Sequence, residues 1–345
     1  MRILFLSYSD YANIMGEWTY ALRKYCKEYK LENQISYLQI KDNGKYTHFR
    51  GKEYNERHKY KELIKKEQIK PLLENVFSDY IVKYKIKTFI IEDTNFNVVR
   101  DDNWFLSLIK SWYDKDNTLK FIIFHNGSIY RGNSDIYNKF DSNFYIYKVI
   151  YGADLFRLGN IDVNKKLIII PTFFVDYTKE MIKEKFKNKK LTILHCPSKD
   201  KGTEFIEKNI KNIITKYNLQ DKFRFIIEKE ITLEEVLELK KQSHIYIGQF
   251  CDGKHSEQEV GGFGLSSIEA LGTGNIVFCL NNKIPVEMEK SMPIINLENE
   301  EKFESIVSNL LLKDKKDLQD IANKSFEYFN NEIGYKSVYK NFLAL

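Results

Sequence analysis

Short runs of β-branched and aromatic residues alternate with longer amphipathic stretches along this chain. In the first half the runs are RILFLSY (2–8), ISYLQI (35–40), TFIIED (88–93), KFIIFHN (120–126), ADLFRL (153–158) and KLIIIPT (166–172). Helical stretches separate them, as over 17–30 and 56–85. A polar, lysine-rich bridge follows, VDYTKEMIKEKFKNKK (175–190). The pattern then restarts with LTILHCP (191–197), FRFIIEK (223–229), IYIGQF (245–250), NIVFCL (275–280) and PIINL (293–297). Helices are expected between these at about 203–217, 232–242 and 265–272, and the last fifty residues read as helix. Apolar strands alternating with helices imply parallel sheets. The expectation is an α/β chain of two successive doubly wound units joined near 174–190, and a length of 345 residues is enough for two cores.

Composition narrows the class. Hydrophobic residues make up 43% and charged residues 30%, a soluble globular balance. No apolar stretch approaches the roughly 20 residues of a spanning helix. The opening MRILFLSYSDY is too short for a signal peptide's apolar region and reads as a first buried strand. Cys26, Cys196, Cys251 and Cys279 are far apart and form no CxxC pair. They suggest neither a disulfide framework nor a zinc site, so a reducing cytoplasm is expected. The net charge is +6, and lysines crowd residues 50–87 around an amphipathic pattern. The plainer reading of that segment is a solvated helix face; the other is a basic face meeting anionic lipid headgroups or a polyanionic acceptor.

In open α/β sheets ligands bind beyond the carboxyl ends of the strands, which directs attention to four segments. After the first run, SYSDYANIMGEWTYALRKY places Gly16 at a helix start, where a bare backbone suits either a turn or a phosphate loop. HNGSIYRG (125–132) sets His125, Asn126 and Arg131 at the end of a strand. His125 is a candidate donor and Arg131 a candidate anion partner; a turn with a capping histidine is the alternative. LHCPSKDKGTEF (194–205) puts Lys201, with Lys199 nearby, just before a helix, where an ammonium beside free helix amides suits a diphosphate. EVGGFGLSSIEALGTGNIVF (259–278) carries Gly261, Gly262 and Gly264 around Phe263 and runs into a helix through Leu265 and Ser266. Such a backbone passes close under a ligand, and Glu269, one turn in, can accept hydrogen bonds from two neighbouring hydroxyls such as those of a ribose.

Together these segments resemble the retaining glycosyltransferases of the GT-B fold, in particular the large family four. GGFGLSSIEALGTGNIVF is similar to that family's E-G-F-G-L-x-x-x-E-A-x-x-x-G-x-P-V donor motif, but Gly261 stands where the family has its first glutamate, and the motif's proline is missing. HCPSKDKGTEFI resembles the H-A-P-S…K-G-T element, and FHNGSIYRG an H-G-S-x-x-R-G element with Asn126 inserted. The likeness spans most of the chain and is strongest over 191–280. It implies two Rossmann-like domains facing across a cleft: an acceptor-binding domain (1–174), a nucleotide-sugar-binding domain (175–325) and a C-terminal helix (326–345) packing back on the first. It also implies roles: Glu269 for the donor ribose, Lys201 for the diphosphate, Gly16 near the phosphates and His125 near the transferring sugar. Glu257 or Glu259 would then stand in for the missing motif acid, and Lys199 or Arg131 for the arginine that usually partners the lysine.

The activity so implied is metal-independent transfer of a sugar, with retention, from a UDP- or GDP-sugar to a hydroxyl of a glycan or lipid-linked acceptor. Synthesis of a surface polysaccharide at the inner face of a membrane is the expected setting, with no nucleic acid partner. Two other classes remain open. A nucleotide-binding protein without turnover would accommodate the loss of the motif acid at Gly261. A DNA-modifying transferase would use the basic 50–87 segment and show steep salt dependence. YDKDN (113–117) spells the D-x-D of metal-dependent transferases but lies in a polar turn before a strand. The six histidines show no paired metal-ligand spacing, and no GxSxG marks a hydrolase.

Overall fold

A computed structural model describes residues 2–7, 14–39, 61–63, 79–92, 104–125, 128–151, 159–169, 177–197, 201–256, 259–260, 262–282, 284 and 290–345. The chain divides into two compact units, one drawn from the residues up to Thr172 together with Val338–Leu345, the other from Phe173–Ser337.

In the first unit the described elements are β1 (Arg2–Ser7), α1 (Ile14–Glu28), β2 (Gln34–Gln39), β3 (Lys61–Leu63), β4 (Thr88–Glu92), α2 (Trp104–Lys115), β5 (Lys120–His125), α3 (Ser128–Asp141), β6 (Ile146–Tyr151) and β7 (Lys166–Ile168). Seven parallel strands lie in the order β3-β2-β1-β4-β5-β6-β7. Because both faces of such a sheet are covered, its central strands are apolar throughout. One face packs Phe89, Phe121 and Val149 against Ile109 and Trp112 of α2 and Tyr137 and Phe140 of α3. Elsewhere Phe5 and Trp18 of α1 pack edge-to-face on Phe342 from the C-terminal segment, and Phe124 packs edge-to-face on Trp18.

One expectation is corrected here, and one strand was not foreseen. Within the predicted helix 56–85, Lys61–Leu63 is a strand pairing parallel with β2, and Asp79–Lys83 forms a single π-helical turn. At the sheet's edge a KEL tripeptide is tolerated, and three residues are too few to show a period. The other residues of 50–78, which carry most of the basic segment, lie outside the described residues. The strand expected at 153–158 lies outside the described residues, and a strand that was not expected runs over Ile146–Tyr151. Lys148 disguised it: its ammonium reaches sideways to the carbonyl of Asn164, so a charged residue sits inside an otherwise apolar strand.

The second unit contains α4 (Lys179–Lys185), β8 (Leu191–His195), α5 (Thr203–Lys216), β9 (Phe223–Ile227), α6 (Leu233–Gln242), β10 (Ile245–Ile247), β11 (Cys251–Asp252), β12 (Glu259–Val260), α7 (Leu265–Gly272), β13 (Ile276–Cys279), β14 (Ile294–Asn296), α8 (Glu300–Leu311) and α9 (Lys315–Tyr328). A π-helical turn (Phe329–Ile333) leads to α10 (Tyr335–Leu343), whose residues from Val338 onward group with the first unit. Five parallel strands run in the order β14-β13-β10-β8-β9 around a core that includes Ile193, Ile206, Ile247, Phe278 and Phe303. The lysine-rich bridge is part of this core: Thr178 caps α4, which buries Ile182, and Phe186 follows it inside.

Strand order reverses between β1 and β4 in the first sheet and between β8 and β10 in the second. These are the two places where an α/β sheet opens a crevice at its carboxyl edge.

Candidate functional site

At the second switch point, His195 ends β8 and its ring ties that strand to β10. Nδ1 lies 2.8 Å from the carbonyl of Ile247 and Nε2 lies 3.1 Å from Thr203 Oγ1. A carbonyl only accepts, so Nδ1–H donates to it. Burial pushes the ring's pKa down to about 4, so it is neutral and Nε2 accepts from the threonine hydroxyl. It fixes the first turn of α5 against the sheet.

The turn before α5 is set by Gly202, which has φ +70°. A β-carbon there would fall under 3.0 Å from the carbonyl oxygen of Phe250. In return, Phe250 N donates to the carbonyl of Lys201 at 2.9 Å. This backbone lock aims the half-buried Lys201, whose Nζ donates to Gln249 Oε1 at 3.0 Å. Gln249, which is buried, uses its other end to donate from Nε2 to the carbonyl of Gly262. One amide thus joins the lysine to the glycine-rich loop.

That loop enters α7 at Gly264, whose extended backbone (φ −83°, ψ 166°) makes no special demand for glycine. What glycine omits there is a capping side chain. Helices α4, α6, α8 and α9 are capped by Thr178, Thr232, Asn299 and Asp314, but α5 and α7 begin at Gly202 and Gly264 with no side-chain cap. A helix start without a side-chain cap still presents the positive end of the helix dipole. With Lys201 beside them, the two helix starts make an environment suited to an anion with several oxygens. Gly248 allows close approach behind: a β-carbon on it would sit 2.5 Å from Ser267 Oγ.

One turn into α7, Glu269 is 5% exposed and its Oε2 accepts from Lys240 Nζ. Lys240 is fully buried and also donates to Ser266 Oγ at 2.7 Å, where the Tyr246 hydroxyl also lies 2.7 Å away. Among the described residues nothing donates to Glu269 Oε1. Phe263 and Leu265 are half-buried on the same loop and first turn.

In the first unit, His125 ends β5 and Gly16 is the third residue of α1, inside the helix. His125 is 1% exposed, so it is an internal residue in this structure. Its Nε2 lies 2.8 and 3.0 Å from the two carboxylate oxygens of Asp141, to which Tyr151 also donates at 3.1 Å, and Tyr130 and Tyr137 pack around the ring. Arg131 and Glu259 belong to α3 and β12, with side chains outside the described set. Asn126, Lys199, Glu257 and Gly261 lie outside the described residues altogether. In YDKDN, Asp114 pairs with Lys110 at 2.6 Å, while Asp116 bonds Lys87 and Thr118. Among the described residues no three histidine, cysteine, aspartate or glutamate side chains converge as metal ligands.

The structure thus brings Lys201, Gly262, Phe263, Gly264, Leu265, Ser266 and Glu269 together around one strand edge. Sequence reasoning missed Gln249, Lys240 and Asp141. Lys240 had a signal: it falls three residues after buried Leu237, on the apolar stripe of α6.

No family model matches the sequence, and no curated protein matches it. Solved structures do match over its whole length. The UDP-forming α,α-trehalose-phosphate synthase from Burkholderia vietnamiensis superposes with a TM-score of 0.56 at 8% identity, over 99% of this chain and 96% of its own. The lipopolysaccharide outer core galactosyltransferase WaaB gives 0.55 at 10% identity, over 100% and 99%. The E. coli trehalose-6-phosphate protein bound with UDP-2-fluoro glucose gives 0.54 at 8%, over 100% and 98%. The fold is GT-B. Identities this low speak to architecture alone. No helix among the described residues is long and apolar enough to cross a membrane.

Proposed function

We propose that this chain is a glycosyltransferase that moves a hexosyl group, with retention, from a UDP- or GDP-sugar to a hydroxyl of a glycan or lipid-linked acceptor. The observation that carries the reading is the Lys201–Gln249–Gly262 relay at the second switch point, between two uncapped helix starts. Solved structures of the same fold include a UDP-forming synthase, a galactosyltransferase and a complex with a UDP-sugar analogue, which supports the same chemistry.

In the transfer, the bond between the anomeric carbon and the diphosphate oxygen breaks, and the acceptor oxygen bonds to that carbon from the same face. The acceptor's proton leaves on a phosphate oxygen, so no separate base is required. Lys201 and the first-turn amides of α5 and α7 balance charge as it builds on the leaving diphosphate, which fixed donors do without reorganisation and without a metal. Glu269 Oε1 accepts from the ribose hydroxyls. Internal in its aromatic pocket, His125 is assigned the task of holding the end of β5 rather than touching the sugar. Peripheral association with the inner face of a membrane, through the basic 50–87 segment, belongs to the same proposal, as does a role in surface glycan synthesis.

The test is incubation with a panel of UDP- and GDP-sugars while released nucleoside diphosphate is followed. Slow hydrolysis of one donor supports the transferase. Binding without turnover would favour a nucleotide-binding protein, the reading that Gly261 in place of the motif acid suggests.

A further inference from the structure

Lys240 and Glu269 make an ion pair whose side chains are 0% and 7% exposed. Every other described lysine–carboxylate pair has at least one side chain a quarter or more exposed. Surface pairs of that kind add little to stability, and a buried pair is commonly no better than apolar side chains of the same size. The pair therefore calls for a reason other than holding α6 to α7.

Both ends of Lys240 are fixed. Its carbonyl accepts from Asn275 Nδ2 at 2.8 Å, and Asn275 Oδ1 in turn accepts from Ser243 Oγ at 2.7 Å. Its ammonium is shared between Glu269 Oε2 and Ser266 Oγ, with the Tyr246 ring 5.0 Å away. The lysine thus occupies one oxygen of the carboxylate and sets its plane, leaving Oε1 as the acceptor. Through Ser266 it links that carboxylate to the first turn of α7, where the proposed diphosphate lies.

We propose that Lys240 is a positioning residue that makes Glu269 selective for the ribose of the donor nucleotide. This rests on the assignment of Glu269 to the ribose made above. With the carboxylate clamped, its remaining oxygen meets the vicinal hydroxyls in one geometry. Freed of the lysine, the carboxylate turns toward solvent or toward the Ser266 hydroxyl, and ribose loses its partner.

The experiment measures affinities of the full chain for UDP and GDP and for their 2′,3′-dideoxy analogues, by titration calorimetry. Wild type should bind the ribonucleotide at least about tenfold tighter than its dideoxy analogue, the scale of a hydrogen bond to a charged group. Lys240→Met should reduce that ratio to about twofold or less while affinity for the dideoxy analogue stays within about twofold. Equal weakening of both ligands, or an unchanged ratio, would mean a purely structural lysine and overturn the proposal. Ser266→Ala removes the ammonium's second acceptor and should lower the ratio by about two- to threefold; it decides the matter if Lys240→Met does not fold, and an unchanged ratio there also overturns it. If wild type binds a nucleoside diphosphate without discriminating ribose, this inference fails together with the assignment of Glu269 to the ribose, while the diphosphate site at Lys201 stands. If it binds none, the donor-site reading fails with it.

Discussion

Gly202 and Phe250 meet so closely that the glycine has no room for a β-carbon beside the phenylalanine's carbonyl oxygen. The contact is backbone against backbone, and φ at Gly202 is +70°, so a side chain meets both a clash and a strained conformation. Gly202→Ala should cost about 1–3 kcal/mol of stability, read as a lower urea midpoint at unchanged slope. Since the turn aims Lys201, nucleotide affinity should fall as well. A variant as stable as wild type would mean the turn relaxes freely.

Lys201 is half-buried and donates to one neutral amide, so its removal should barely move the melting temperature. Lys201→Ala should instead lower the rate of donor cleavage by about 10²–10³, the usual cost of losing one fixed donor to developing charge. Gln249→Leu should show a smaller loss in the same assay, since it unties the lysine from the Gly262 carbonyl and leaves the charge in place.

Acid should destabilise the second unit through two buried histidines. Burial holds the His195 pKa at about 4, against the hydrogen bond to Ile247, and does the same for His244. His244 accepts the Thr192 amide on Nδ1 at 2.9 Å and lies 2.8 Å from the Lys185 carbonyl through Nε2, so it too is neutral. Both native pKa values lie below the unfolded value of about 6.5. Between these limits the unfolded chain binds more protons than the folded one, so stability is complete above about pH 6.5 and falls as pH drops toward 4. Each histidine contributes on the order of 3 kcal/mol. Urea midpoints at pH 7 and pH 4.5 check the sign; equal midpoints would contradict it.

In the first unit the buried His125–Asp141 pair with Tyr151 should be structural. Asp141→Ala leaves buried donors unpaired and should cost about 3–5 kcal/mol. Tyr151→Phe loses one hydrogen bond and should cost about 1 kcal/mol. Thermal denaturation of the two variants separates these magnitudes.

Much of the architecture was legible because buried parallel strands are written as unbroken apolar runs, as in KFIIF and LTILH. The strand IYKVIY was not, since Lys148 interrupts it, and β3 was not, since an edge tripeptide carries no period. At the site, Lys201, the glycine run and Glu269 were visible as local spacing. Their connections were not: Gln249 and Lys240 lie 48 and 29 residues from the partners they hold, and nothing local marks a distant hydrogen bond. His125 shows the converse, a strand-end histidine whose partner Asp141 sits 16 residues on, inside the core.

A nucleotide whose diphosphate docks at the β8–β10 edge, between the starts of α5 and α7, should leave a footprint on the backbone there. Hydrogen–deuterium exchange with and without saturating UDP or GDP tests it most directly. New protection is expected mainly at amides around 201–204 and 262–269, and its loss in Glu269→Ala at the same nucleotide concentration. Protection that leaves both segments unchanged while the nucleotide is demonstrably bound would place the nucleotide site elsewhere in the molecule.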